Sequence, residues 1–393
     1  MKPLRRWCIT LALAFAAGPL FAETATFQFL LEPGPSAVGL KVVNQYDASR
    51  TFPSPGKKAA GRPLQTLVWY PSTGSARAAM TVGDYAALAD SETRFDSADP
   101  GHNKWRTQLK ASAGVPLWAR RDASMAKGRY PVVIYAPSDS SIAWENADLC
   151  EYLASHGYVV IASPSMGAAT RDMTDDNEGI DAQARDISFL INFAATLPDA
   201  DTANVAVASW SWGGISSLFA AARDPRIRAL AEMDGSMRYF PGLVTKAGDV
   251  HPEAMRIPLL FLTSAFPNWL EDVERDTDDP PAMRAGPNVL NAWTHGDLYT
   301  VNMLGMSHGE FSSMFQRRKS AERFAEDQIA DYGRDDANTS HAWSARYVLH
   351  FLDATLKQDG AAAAWLKRTP AENGVPRHFM AVTFRAATPP PPP

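Results

Sequence analysis

The sequence predicts an α/β fold, a mostly parallel, doubly wound sheet with helices on both faces and an antiparallel start. Two observations carry that expectation. Short apolar runs recur at Ala37–Gln45, Leu64–Tyr70, Pro131–Tyr135, Tyr158–Ser163, Val205–Ser209, Ala229–Met233, Pro258–Thr263 and Tyr299–Leu304. Helical patterns fill most gaps between the later runs, at Trp144–His156, Gly179–Thr196, Gly214–Asp224 and His341–Lys357. Strands that alternate with helices build parallel sheets covered on both faces. The first two runs have no helix between them, so they are expected to pair antiparallel.

Each element has local punctuation. Gly157 closes the helix before Tyr158, and Pro164 stops the strand that follows. Residues 72–128 are polar and rich in Ala and Arg; they read as a partly helical insertion. A second insertion, residues 264–297, carries Pro, Asp and Trp with little periodicity. Its acidic run from Glu271 to Asp279 lacks the Gly and the ligand spacing of a calcium loop, so a solvated acidic loop is expected. The tail Pro389–Pro393 reads as extended low-complexity chain. There is no internal repeat.

With 393 residues and 46% hydrophobic content the chain can bury a large core, and one domain is expected over residues 23–388. Lys2, Arg5 and Arg6 precede the apolar stretch Cys8–Phe21, and Ala22 offers a small residue at a cut site. That layout reads as a cleaved export signal, which predicts a periplasmic or secreted protein. No other long apolar segment occurs, so no stable membrane insertion is expected after cleavage. The formal net charge is −5, and removing the three cations of the leader makes it more acidic. No basic patch points to nucleic acid. Of the two cysteines only Cys150 remains, read as a buried apolar thiol in a helical pattern.

The most informative stretch is Ser209-Trp210-Ser211-Trp212-Gly213-Gly214. The β-type run Val205–Ala208 feeds into it, and a small-residue helix, Ile215 to Arg223, leaves from it. Strand, Ser among tiny residues, then helix is the layout of a nucleophile elbow, G-x-S-x-G, with Ser209 at the first Gly position. A Ser hydroxyl needs a base in reach and an acid to orient that base. In one known chain order the nucleophile comes first, the acid next and the His last. His308, in Gly305-Met306-Ser307-His308-Gly309 just past a predicted strand, is the expected base, with His295 in reserve. His341 and His350 read as surface or packing residues of a terminal helix. Asp234, directly behind a predicted strand and followed by Gly235, is the favoured acid. The loop after Pro258–Thr263 competes with Asn268, Glu271 and Asp272. Backbone N–H groups of Trp212 and, in the turn after Pro131–Tyr135, of Ser138 or preferably Asp139 are expected to form the oxyanion hole.

Arg62-Pro63-Leu64 with Val68-Trp69-Tyr70-Pro71 resembles the opening of the dienelactone-hydrolase and platelet-activating-factor-acetylhydrolase-like branch of the α/β hydrolases. So do Tyr130-Pro131-Val132-Val133 and Leu153-Ala154-Ser155-His156-Gly157-Tyr158-Val159-Val160. The resemblance runs from about Gly39 to Leu366 and implies the α/β-hydrolase fold. In the acetylhydrolase-like members the acid follows the strand after the nucleophile helix, which implies Asp234. Two departures stand out: Pro137-Ser138 replaces a frequent His-Gly, and Ser209 replaces the first elbow Gly. Dienelactone hydrolases proper use a Cys nucleophile, so that activity is not implied. His156 reads as a structural residue at a helix end.

The expectation is an exported serine hydrolase that cleaves carboxylic esters through an acyl-enzyme formed by Ser211, His308 and Asp234. A serine peptidase of the same fold and a non-catalytic binding protein are the alternatives. The expected partner is a small-molecule ester with a short or medium acyl group or an aryl group, since no large lid and no amphipathic membrane-binding helix is evident. Trp144, Trp210, Trp212, Phe266, Trp269 and Trp293 either wall an apolar pocket or belong to the core. No H-E-x-x-H, Cys/His cluster, Walker or dinucleotide glycine pattern appears, so no metal or cofactor is implied. Ser54-Pro55-Gly56-Lys57 matches S-x-x-K but sits in a Pro/Gly loop without a Lys-Thr-Gly partner.

Overall fold

The computed structural model describes residues 27–53, 60–96, 103–264, 281–318 and 332–389. The segment read as an export leader, Ser54–Lys57, the acidic run 271–279 and the alternative acids Asn268, Glu271 and Asp272 lie outside the described residues. So do Phe266, Trp269 and residues 390–393.

Ten strands form one sheet. They are β1 (Ala37–Phe52), β2 (Ala60–Ser72), β3 (Arg120–Arg121), β4 (Tyr130–Ala136), β5 (Val159–Ala162), β6 (Ala200–Trp210), β7 (Ile227–Met233), β8 (Leu259–Ser264), β9 (Leu298–Met303) and β10 (Met380–Arg385). Their order across the sheet is β10-β9-β8-β7-β6-β4-β5-β2-β1-β3. The strands from β4 to β9 run parallel to one another. β1 and β2 form the expected antiparallel start, and β2 meets β5 antiparallel. β10 closes the other side antiparallel to β9; sequence reading missed it, although Met380, Val382 and Phe384 alternate with Ala381, Thr383 and Arg385. β1 also runs beyond its apolar part, past a register shift after Asp47, where Arg50 reaches Asp186.

Alternation along each strand feeds two cores. Val133 and Tyr135 of β4, Ala206 and Ala208 of β6, and Ala229 and Ala231 of β7 face the core that contains α3 (Ala147–Ser155) and the long helix Arg334–Leu356. Val132, Ile134, Val205, Val207 and Leu230 face the other, with α4 (Asn177–Ala194), α5 (Trp212–Arg223) and α6 (Pro241–Ala247). The segment read as the first insertion contains α1 (Val82–Leu88) and α2 (Lys104–Gln108). Tyr85 of α1 ties that insertion down: its hydroxyl accepts from Trp69 Nε1 and donates to the buried Glu151 of α3.

The order of strands fixes where a site can form. β4 lies between β5 and β6, so the chain leaves β4 in one direction for β5 and returns on its other side for β6. Such a reversal opens a crevice at the carboxyl ends of the two strands, the usual location of ligands in parallel sheets.

The alanines beneath helix Arg334–Leu356 let it lie close to the sheet. Ala231 is fully buried there, and Ala231→Leu is expected to cost about 1–3 kcal/mol by overpacking. Urea unfolding should show a lower midpoint with an unchanged slope.

Candidate active site

β6 ends at Trp210 and α5 begins at Trp212, so Ser211 is the single residue between strand and helix. Its φ of 57° and ψ of −125° are strained for a residue with a Cβ. The neighbours of Ser211 explain why the turn is possible. A Cβ on Gly213 would lie 2.2 Å from the Ala136 carbonyl oxygen, so the close approach at that position is to the end of β4. A Cβ on Gly214 would lie 2.5 Å from a Glu232 carboxyl oxygen and 2.6 Å from Gly235 Cα. The backbone crosses here: Ser211 N–H donates to Met233 O at 3.2 Å, and Ser236 N–H donates to Ser211 O at 2.8 Å.

The same contacts account for the missing first Gly. Sheet register places Ser209 opposite Glu232, and the two side chains hydrogen-bond to each other in a wholly buried setting. Burial pushes the Glu232 carboxyl well above its usual pKa, and the Ser209 hydrogen bond only partly opposes this. A neutral carboxyl with a hydroxyl partner is the form that an apolar interior tolerates. Glycine at 209 would remove that partner.

Asp234 follows β7 directly, with φ of 50°. Its side chain is 0% exposed. Oδ1 accepts from Tyr239 Oη at 2.5 Å, Thr263 Oγ1 at 3.2 Å and Ser264 N at 3.3 Å, and Oδ2 accepts from Ser264 Oγ at 2.9 Å. Its own N–H donates to Leu262 O at 2.7 Å, so the end of β8 shapes this turn. His308 Nδ1 completes the set at 2.6 Å from Oδ2. Burial alone would raise the Asp234 pKa; the hydrogen bond and charge of His308, with the Tyr239 and Ser264 hydroxyls, outweigh it and hold the carboxyl well below the usual range.

His308 Nε2 lies 2.8 Å from Ser211 Oγ. An ionised Asp234 only accepts hydrogen bonds, so Nδ1 carries the proton and Nε2 of a neutral ring is left to accept from Ser211. The imidazole stays 39% exposed while its acid partner is sealed. Its backbone sits in a one-turn helix, His308–Phe311, closed by a capping box between Ser307 and Glu310. Trp210 packs against the ring with centroids 5.3 Å apart and donates through Nε1 to His308 O at 3.1 Å. The structure therefore brings Ser211, Asp234 and His308 together in one hydrogen-bonded line.

The reserve histidine does not join them. His295 Nδ1 pairs with Thr388 O at 2.9 Å, before β9 begins and so at the opposite end of the sheet. His341 is buried in packing, not on the surface: its Nδ1 donates to Glu310 O at 2.9 Å and supports the His308 turn. Burial lowers its pKa to about 4. His156 caps α3, as read.

In the turn after β4, Ser138 N–H donates to Glu145 Oε1 at 2.8 Å. Among the described residues no hydrogen bond engages the amide of Asp139 or of Trp212. Ser140, next in that turn, has φ of 47°. Trp144, Trp210, Trp212 and Trp293 all belong to the buried core. Trp210 lies between His308 and Phe315, and Phe315 packs edge-on to Trp105. No group of three or more potential metal ligands occurs among the described residues, and no helix among them is long and apolar enough to cross a membrane.

Tyr239, Thr263, Ser264, Glu145 and Glu232 were missed from sequence. Thr263 and Ser264 reach Asp234 from β8, and Glu232 reaches Ser209 from β7, whereas Tyr239 and the Glu145 carboxyl act on partners within ten residues. The position of Thr263 and Ser264 at a strand's carboxyl end was a usable signal.

Neither a family model nor a curated protein matches the chain. Among solved structures it is similar to the ferulic acid esterase from Streptomyces cinnamoneus, with a TM-score of 0.64 and 21% identity, over 92% of this chain and 99% of that one. The chain has the α/β-hydrolase fold. In that fold the crevice at the β4 and β6 ends is the place where Ser211, Asp234 and His308 meet.

Burial pushes two further carboxyls up, Glu145 to about 7 and Glu151 to about 8. A carboxyl whose pKa is higher folded than unfolded stabilises fully below its unfolded value, and that share is lost as pH rises through the folded value. For Glu151 the window runs from about 4.5 to about 8. The melting temperature is therefore expected to fall between pH 7 and pH 9, and to fall less steeply in Glu151→Gln. Thermal melts of both proteins at the two pH values check this.

Proposed function

We propose that this protein is an exported serine hydrolase that cleaves carboxylic esters. The observation that carries the reading is the line Ser211 Oγ, His308 Nε2 and Nδ1, Asp234 Oδ2, with spacings of 2.8 and 2.6 Å. Ser211 Oγ attacks the ester carbonyl carbon while His308 Nε2 takes its proton. Asp234 holds the ring in the required tautomer and stabilises the imidazolium. The carbonyl oxygen gathers charge and is met by the free amides of Trp212 and Asp139, whose worth rises in a site that excludes water. Collapse of the tetrahedral species releases the alcohol with the proton from His308. Water, deprotonated by the same nitrogen, then frees the acid from Ser211.

Two features favour a short acyl or aryl ester as substrate. Phe315, half-buried, is the outer member of an aromatic series with the buried Trp210 that packs on His308, and an aromatic face suits an aromatic group. The structural neighbour is a ferulic acid esterase. The motifs around Arg62, Pro131 and Gly157 support membership of the dienelactone-hydrolase and acetylhydrolase-like branch. Export is carried by the composition of residues 1–22 alone.

Ser211→Ala is expected to lower kcat by about 10⁴-fold or more and to abolish labelling by a fluorophosphonate, with its melting temperature close to wild type. Labelling at the wild-type rate would move the nucleophile elsewhere. Asp234→Asn is expected to lose about 10⁴-fold in kcat, the cost of a wrong imidazole tautomer. In a substrate panel, activated short-chain and hydroxycinnamoyl esters should be cleaved faster than peptide amides; the reverse order would favour a peptidase.

A further inference from the structure

We propose that Glu145 is a positioning residue for this reaction, holding the turn that presents the Asp139 amide and fastening that turn to the loop that carries His308. The proposal rests on the serine-hydrolase reading of Ser211. Glu145 is 0% exposed and stands in the chain between β4 and α3. Its carboxyl gathers the turn: Oε1 accepts from Tyr135 Oη at 2.9 Å and Ser138 N at 2.8 Å, and Oε2 pairs with Ser138 Oγ at 2.8 Å. By occupying the Ser138 amide, Glu145 removes it from the donors open to a substrate and leaves the next one, Asp139, to point outward.

The backbone of the same residue grips the other loop. Glu145 O accepts from Ser312 Oγ at 2.6 Å and Met314 N at 3.1 Å. Asn146 adds Nδ2 to Phe311 O at 2.9 Å and accepts at Oδ1 from Ser313 N at 3.3 Å. All four contacts fall just past His308. On its far side the turn is held by Ser165, whose Oγ donates to Ser138 O and accepts from Ser141 N at 2.7 Å. Asp139 and Ser140 thus span two anchors, one of which also fixes the distance to His308. Burying a carboxyl is costly, and burial raises this one to about 7; three donors from one turn and its parent strand are what offset that cost. A residue that serves packing alone needs no carboxyl at this point.

The test uses the full chain and begins with fluorophosphonate labelling of the wild type. Absence of label on Ser211 would overturn the functional reading, and this proposal with it. With Ser211 labelled, Glu145→Ala is expected to lower kcat 10- to 100-fold, a fraction of what the loss of a whole oxyanion donor costs, with KM within about threefold. Inhibition by an alkyl boronic acid, which needs the same amides, should weaken by a similar factor. Glu145→Gln keeps an acceptor for Tyr135 and Ser138 and should stay within about threefold of wild type in kcat. Wild-type turnover and boronate affinity in Glu145→Ala, or a Gln variant as impaired as the Ala variant, would overturn the proposal while leaving Ser211 in place. Should the Ala variant fail to fold, Tyr135→Phe removes one of the two donors at Oε1. It should lower kcat several-fold at unchanged KM, and an unchanged kcat would count against the role.

Discussion

The site depends on how closely two strands approach that are not consecutive in the chain. β4 and β6 lie side by side with the start of α5 pressed against the end of β4, so near that Gly213 has no room for a side chain. That contact sets the first turn of α5, with the unpaired Trp212 amide, against the turn after β4. It also forces Ser211 into its strained conformation, which raises the hydroxyl from the strand end towards His308. Three of the six described non-glycine residues with positive φ are Ser140, Ser211 and Asp234. Backbone strain of roughly 1–3 kcal/mol each is therefore concentrated on the three turns that border the crevice.

Around this crevice the interior sorts buried carboxyls by their partners. Asp234 has hydroxyl and amide donors on both oxygens and an imidazole that can take up positive charge, so it stays ionised. Glu232 sits two residues earlier, on β7, with one hydroxyl, and burial pushes its pKa well up. Glu145 and Glu151 fall between, with donors but no cation. The ordering follows from one comparison, the cost of removing a carboxylate from water against the charge and hydrogen bonds offered to it. Only at Asp234 does the offer exceed the cost among these four.

Much of this arrangement was legible in the sequence because it is local. Strand, Ser and helix run consecutively through residues 200–223, and a turn forced to be tight there needs small residues whatever the rest of the chain does. His308 and Asp234 were legible for a similar reason, each following a β-type run at the edge where parallel strands end. What lay beyond reach was pairing. The role of Ser209 depends on the β6 and β7 register that sets it against Glu232, and nothing within either segment states that register. The five donors on Asp234 come from four residues, in the turn after β7, at the end of β8 and after β9, and Glu145 acts on residues that follow it by well over a hundred positions. β10 was missed for another reason: only Met380 of its six residues is buried, and so short an alternation carries little signal until β9 supplies a partner.

The order in which the chain fills its sheet bears on how the molecule is made. Ser211 and Asp234 are in place once β6 and β7 have paired, yet Asp234 is not fully satisfied until Ser264 arrives with β8. His308 is delivered by β9, and β9 remains an edge strand until Met380–Arg385 pair with it. The helix that braces the His308 turn through His341 also lies late, at Arg334–Leu356. A growing chain thus carries Ser211 without His308 over a long stretch of synthesis, and closes the line only when contacts of great sequence separation form. Partly folded chains accordingly lack the hydrogen-bonded line that joins Ser211, His308 and Asp234.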